Sequence, residues 1–184
     1  VPKTGHVLNL SRMNAVTGMR RGENGRFYLT MQPGTILSQL RKTIESKKFD
    51  ISRWSEESKE AYAQFCQAPE QFFTPDPTES SATIGGMTAC NASGARSYLY
   101  GSIRKHISAL RIVLCNGQTL ALRRGQVFAQ GRELQLTTQE GYSFTVHLPT
   151  YQMPKTKNAS GYYIEDDMDA IDLFIGSDGT LGVI

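Results

Sequence analysis

Two glycine-rich stretches are the places where this chain could do chemistry. The first, ATIGGMTAC, holds Gly85 and Gly86 and is followed by Gly94 and Gly101; the second is GSDGTLG, residues 176–182. Glycine lets backbone approach a ligand closely, and successive free N–H groups bind anionic oxygens. Slim residues flank the Gly85-Gly86 pair, and Thr88 adds a hydroxyl. Such a surface suits a diphosphate or a flat ring. Taken alone, the first cluster is equally compatible with tight turns in a loop-rich protein. The second tips the reading toward two converging backbone surfaces that hold the two ends of one elongated ligand. Neither cluster is a GxGxxG fingerprint or ends in the GK[ST] of a phosphate-binding P-loop, so the two most familiar nucleotide folds are not supported.

Other chemistry-bearing residues point to less. The acidic run Glu165-Asp166-Asp167-Met168-Asp169 lacks the glycine and distal glutamate of a calcium loop, so it reads as the charged first turn of a short helix, and no metal site is expected. His6, His106 and His147 are far apart and accompany no GxSxG nucleophile motif; they read as surface or packing residues, and no catalytic residue can be assigned. The cysteines Cys66, Cys90 and Cys115 are odd in number and form no CxxC pair, which argues against zinc and disulfides and fits a reducing, cytoplasmic compartment. Cys90 reads as a small buried thiol and Trp54 as a cap on a helix. The 20 basic and 17 acidic residues are scattered, giving a net charge of +3 without a basic run, so no nucleic-acid partner is expected. No apolar run approaches the about 18 residues of a transmembrane segment. The oligomeric state is not legible.

The elements that must position the glycines follow from periodicity. Strands are expected at 6–10 and 27–31, the latter closed by Gln32-Pro33-Gly34. A helix follows, capped by Thr35, with Ile36, Leu37, Leu40 and Ile44 on one stripe of a 3.6-residue period. Residues 50–71 read as a polar surface helix capped by Ser55, with Tyr62, Phe65 and Cys66 on its apolar side. From 109 the period becomes two, and Asn116-Gly117 marks the turn of a hairpin returning through 118–122. Strands are expected at 133–137 and 142–148, then a turn at Ser160-Gly161-Tyr162 and a short helix over 167–174. The fold class is α+β, with a mainly antiparallel sheet flanked by helices.

Five motifs in this order, PDPT (75–78), TIGGMTACNASG (83–94), YGSIRKHISALRIVLCNGQTLAL (100–122), KNASGY (157–162) and LFIGSDGTLGVI (173–184), resemble the FAD-binding domain of the vanillyl-alcohol-oxidase, or p-cresol-methylhydroxylase-type, superfamily. Within it the likeness is to the D-lactate dehydrogenase and glycolate oxidase branch. GHVLNLSRMN and MQPGTILSQL fall where that family has its early strand and following helix.

The resemblance implies two FAD-binding subdomains with FAD between them. Residues 1–75 would be the remainder of the first, with a helical insert near 50–71, and 76–184 the second, incomplete at its C-terminal end. The chain is thus expected to be truncated at both ends, with a glycine-rich phosphate-binding loop before Val1 and a substrate domain after the GTLG segment. By the same resemblance Pro75 and Asp76 lie at the crossing, Gly85, Gly86, Thr88, Asn91, Ala92 and Gly94 line the diphosphate and ring, and Tyr100 and Gly101 continue that wall. Asp178, Gly179, Gly182, Val183 and Ile184 serve the other wall, toward the adenine, although Asp178 stands where the family has Glu. The implied protein oxidises a small 2-hydroxy acid such as D-lactate or glycolate by hydride transfer to FAD and hands electrons to an acceptor, in the cytoplasm or at a membrane surface. The competing readings are a noncatalytic module that keeps the fold without flavin, and a flavin enzyme of another reaction type in the same superfamily.

Overall fold

The computed structural model describes residues 5–156, 159 and 161–184, and the chain divides into two compact units. One comprises Val1–Phe73 with Glu79–Gly85, the other Thr74–Thr78 with Gly86–Ile184.

In the first unit β1 (Val16–Arg21) pairs antiparallel with β2 (Phe27–Met31), Arg21 opposite Phe27. The strand expected at 6–10 does not form. Its apolar residues Val7 and Leu8 are exposed, and Leu10 and Met13 make a turn whose carbonyls crowd Gly34. The strand lies instead in VTGMRR, where glycine and two arginines hide the alternation. Helix α1 (Leu37–Ser46) buries Leu37, Leu40 and Ile44 as its period requires and ends at Lys47 in a left-handed conformation. Thr35 does not cap it: the side chain makes no cap bond, and the first N–H groups, of Leu37 and Ser38, donate to the carbonyls of Ala82 and Ser80.

Helix α2 (Glu56–Gln67) starts at Ser55, whose hydroxyl accepts the Ser58 N–H at 3.3 Å. It packs on β1 through Ala61 and Phe65 while Cys66 stays exposed. Trp54 is a core residue rather than a helix cap. It is buried against Phe49 and Tyr62, and its indole N–H donates to the Val16 carbonyl at 2.9 Å. Segment 50–71 therefore supplies much of this unit's core, because its three rings, Trp54, Tyr62 and Phe65, bury more apolar area than its many polar positions suggest.

In the second unit helices α3 (Ile84–Ala89, which begins in the first unit) and α4 (Ser97–Tyr100) lead through a 3-10 turn at Ile103–His106 to two antiparallel hairpins. Strand β3 (Ala109–Val113) pairs with β4 (Thr119–Arg123), and β5 (Glu133–Thr137) with β6 (Ser143–His147). The Asn116-Gly117 turn forms as expected, Gly117 at φ 83° and Asn116 Oδ1 accepting the Gln118 N–H. Leu120, Leu122, Leu134 and Leu136 point inward from the pleats and meet Ile171, Phe174 and Ile175 on and after α5 (Ala170–Phe174). The class is α+β with antiparallel strand pairs, and among the described residues these pairs stay separate rather than joining one sheet. Asp169 caps α5, and Asp167 and Asp169 also accept the N–H groups of Gly131 and Gly125, so the acidic run fastens loops. Of the turn expected at 160–162, Ser160 lies outside the described residues, as do Lys157 and Asn158 of the KNASGY motif. No described helix is long and apolar enough to cross a membrane.

Candidate functional site

The first glycine stretch is anchored at both ends by backbone. In the first unit the N–H groups of Ile84 and Gly85 donate to the carbonyls of Thr35 and Pro33, at 2.9 and 2.8 Å. A Cβ on Gly85 would stand 2.5 Å from Pro33 Cβ, so this glycine serves the chain's own close approach. Gly86 opens the second unit and is exposed. Helix α3 then ends in a Schellman motif: the Asn91 N–H donates to the Thr88 carbonyl and the Ala92 N–H to the Met87 carbonyl, with Asn91 at φ 46°. Thr88 is buried.

The second glycine stretch is bonded to the first. Gly176 donates its N–H to the Thr88 carbonyl at 3.0 Å and Asp178 to the Ala89 carbonyl at 2.8 Å, which satisfies the end of α3. Gly176 sits so close to Asn91 that its own Cβ would lie 3.0 Å from Asn91 Cβ. Asp178 and Gly179 both hold positive φ, and the space above Gly179 is open. Cys90 is exposed rather than buried, because it lies just beyond the last residue of α3; partial burial, then the Asp178 carboxylate, push its thiol pKa up. Gly182 to Ile184 form an edge: Val183 and Val113 exchange two backbone bonds at 2.8 and 2.9 Å, Ile184 packs on the core, and a Cβ on Gly182 would meet Ile112 and Val113.

A third group surrounds the PDPT segment. Pro75 is buried, and the carbonyl of Asp76 occupies the space where a Gly94 side chain would begin. Asp76 Oδ2 lies 3.4 Å from Arg96 Nε. The Ala92 carbonyl accepts the Ile103 N–H, and the Tyr100 carbonyl lies 3.1 Å from His106 Nε2, whose ring also meets the Thr74 hydroxyl. His106 is thus a packing residue. Gly101, at φ 83°, faces the Lys105 side chain. Of the residues singled out from the sequence, the second unit brings Gly86, Thr88, Asn91, Ala92, Asp178 and Gly179 into one bonded patch. It holds Pro75, Asp76, Gly94, Tyr100 and Gly101 around PDPT and places Gly182 to Ile184 along β3, whereas Gly85 belongs to the first unit.

Sequence reasoning missed the charged cluster that holds the second stretch in place. Asp172, buried in α5, takes a bidentate pair of bonds from Arg124 at 2.8 Å each and one from Arg104 at 3.1 Å. Arg104 also donates to the carbonyls of Asp172 and Ile175 at 2.5 Å each, just before Gly176, and lies 4.4 Å over the Tyr163 ring. Burial lowers the Arg104 pKa against the pull of Asp172, while the Asp172 hydrogen bond raises that of Arg124. The available signal was a carboxylate in the middle of the apolar run AIDLF, which must be paired if it is to be buried.

Two buried polar atoms lack any hydrogen-bond partner among the described residues: Thr35 Oγ1 in the first unit and Asn91 Oδ1 in the second. Unpaired buried polar atoms are few in native proteins and need a reason. A patch of exposed glycine backbone beside an unused acceptor is one that a polar ligand completes. A family described as FAD binding domain matches residues 60–123. The chain is 27% identical over 180 residues to a D-lactate dehydrogenase of Anaerostipes hadrus. It is 26% identical over 181 residues to the glycolate oxidase subunit GlcD of Bacillus subtilis, and 31% over 205 residues to a D-2-hydroxyglutarate dehydrogenase of Pseudomonas putida. These alignments cover 98% of the chain and 25%, 26% and 17% of the respective relatives, so the chain spans about a quarter or less of their length. The chain is thus similar along its length to these dehydrogenases and this oxidase subunit, and over residues 60–123 to an FAD binding domain.

Proposed function

We propose that this chain is the FAD-binding part of a flavin-dependent oxidoreductase acting on a small 2-hydroxy acid of the D-lactate or glycolate kind. The observation that carries the reading is the bonded pair of glycine stretches, Gly176 to Thr88 and Asp178 to Ala89, with exposed backbone at Gly86, open space at Gly179 and an unused acceptor at Asn91. When bound, FAD supplies a hydride acceptor for the carbon that bears the substrate hydroxyl. The chain's own part is to bind and orient. Gly86 and Gly179 offer backbone without side chains in the way, Ala92 ties the end of α3 to the turn at Ile103, Asn91 offers an acceptor, and Arg104 with Asp172 holds the Gly176 turn. Pro75, Asp76, Gly94, Tyr100 and Gly101 fix the PDPT segment from which the second unit begins, and Gly182 to Ile184 tie the second glycine stretch to β3. The kinship with three kinds of 2-hydroxy-acid enzyme supports the substrate class.

The test is flavin retention by the intact protein and its Gly86→Val variant. The intact protein should purify yellow, release FAD rather than FMN on denaturation, and bleach with D-lactate, glycolate or D-2-hydroxyglutarate. Gly86→Val should lose the flavin while keeping its circular dichroism spectrum. A colourless protein that ignores added FAD would overturn the reading in favour of a noncatalytic module.

A further inference from the structure

We propose that Tyr162 is a positioning residue for the cofactor: its hydroxyl, acting through Thr180, holds the backbone of the GSDGTLG turn in the shape that binds FAD. This rests on the flavin reading above. Asp178 and Gly179 stand in succession at positive φ, 52° and 73°. A residue other than glycine is strained in that region and persists there only where its surroundings dictate it. Before the pair, the Asp178 N–H donates to the Ala89 carbonyl at 2.8 Å. After it comes Thr180, which is exposed. Both of its donors turn back on the Ser177 carbonyl, the N–H at 3.0 Å and the hydroxyl at 2.5 Å, and so close the turn upon itself.

Tyr162 makes the outward tie. Its hydroxyl oxygen lies 2.8 Å from that of Thr180. A threonine hydroxyl has one proton, and that of Thr180 is spent on the Ser177 carbonyl, so Tyr162 is the donor and Thr180 the acceptor. The donor is itself fixed, since the Tyr162 carbonyl accepts the Tyr151 hydroxyl at 2.5 Å and the Tyr162 ring packs against the aliphatic core. Phenylalanine would pack there as well; the hydroxyl is what the core does not require. The next residue grips the other end of the turn. The Tyr163 ring lies 4.4 Å from the Arg104 guanidinium, which donates to the Ile175 carbonyl at 2.5 Å. Adjacent tyrosines thus reach both flanks of 176–179, one through an arginine and one through a threonine. The bond to Thr180 is at the surface, where water competes, so losing it loosens the turn and leaves the core folded. A turn that spends only part of its time in the binding shape lowers the apparent affinity by that fraction.

The experiment compares Tyr162→Phe, Thr180→Val and the two together in the intact protein, with FAD binding followed by stopped-flow flavin fluorescence. Tyr162→Phe should weaken binding about fivefold, the value of one ordinary hydrogen bond. The loss should fall on the association rate, since once the flavin is seated the turn is the same in both proteins. Thr180→Val, which removes both hydroxyl bonds, should lose at least as much, and adding Tyr162→Phe to it should cost nothing further. Thr180→Ser, which keeps the hydroxyl, should bind as the unaltered protein does. Stripped of flavin, Tyr162→Phe should melt with the unaltered protein. Unchanged FAD binding by Tyr162→Phe overturns the proposal. So does faster dissociation at an unchanged association rate, the mark of a hydroxyl that touches the flavin, or a further loss when Tyr162→Phe is added to Thr180→Val. It is equally overturned if flavin-free Tyr162→Phe melts well below the unaltered protein, the mark of a structural residue. Failure of the unaltered protein to bind FAD would instead remove the flavin reading itself, and this proposal with it.

Discussion

Each unit is held together internally by a different chemistry. The first has one hairpin and two helices of ordinary length, and its centre is a knot of rings: Phe27, Phe49, Trp54, Tyr62 and Phe65 meet at centroid distances of 5.3 to 6.5 Å, most of them edge to face. The second has two hairpins, and its centre is aliphatic, with the Arg104, Arg124 and Asp172 cluster at one side. Rings give a small unit much buried area per residue. The second unit must instead hold irregular backbone around 104–107 and before Gly176, whose carbonyls have no ladder to bond with. Arg104 serves the carbonyls of Asp172 and Ile175, and Arg124 those of Ile107 and Arg104. Charge appears where regular structure stops.

The comparison breaks most visibly at Trp54. If the ring knot carries the first unit, Trp54→Ala removes the indole and its bond to the Val16 carbonyl and should cost about 4 kcal/mol, within the range for large aromatic truncations in cores. Trp54→Phe, which keeps a ring but not the N–H donor, should cost less than half of that. Urea denaturation followed by circular dichroism measures both. A loss under about 1 kcal/mol for Trp54→Ala would mean that the segment at 50–71 is a dispensable addition after all.

Asp172→Asn is the corresponding break in the second unit, and its effect should be somewhat smaller. It leaves two guanidinium groups, one of them largely buried, without their shared counter-charge, while the amide still fills the space. Removing one partner of a buried ion pair costs about 3 kcal/mol or more, and Arg124 is exposed enough for water to take up part of that. The expected outcome is a loss of about 2 to 3 kcal/mol in the same denaturation experiment. Faster flavin release should accompany it, because the carbonyls before Gly176 are no longer gripped. Unchanged flavin release together with lost stability would separate the charged cluster from the glycine stretch.

What could be read from the sequence follows the same division. The β3–β4 hairpin was legible because alternation, Asn116-Gly117 and a buried face all agree, and the apolar stripe of α1 likewise. Strand β1 was not, since Gly18 and two terminal arginines leave no alternation to count. Trp54 was misplaced because charged neighbours mark its segment as surface, and nothing local reveals that Phe27 and Phe49 converge on it. At the candidate site the glycines were visible but their neighbours were not. Gly85, Gly94 and Gly182 make room for Pro33, Asp76 and Ile112, contacts between residues distant in the chain. Asn91 was found through its motif, whereas its unpaired oxygen is a property of packing alone. Arg104 and Arg124 lie in a turn and at a strand end, and only the fold brings them to Asp172.

The smallest effect sharpens the comparison through two tyrosines. Tyr62, in the ring knot, has its pKa raised chiefly by burial. Tyr163, under Arg104, is pushed up from 10.0 to about 12, first by burial and then by its hydrogen bond to Glu165, with the charges of Glu165 and Asp172 outweighing the opposing pull of Arg104. The unfolded chain ionises this phenol near 10.0, before the folded chain does. The stability contributed by keeping it neutral is therefore complete below pH 10 and is lost as the pH rises from there to about 12. Phenolate absorbance should show one of the eight tyrosines ionising last, near pH 12, and Tyr163→Phe should remove that step. The same variant should flatten the decline of the urea midpoint with pH across this window, leaving the part due to Tyr62. If instead the Tyr163 step coincides with the bulk of the tyrosines, the ring is not seated beside the carboxylates of Glu165 and Asp172, and the second unit's charged cluster is looser than its hydrogen bonds imply.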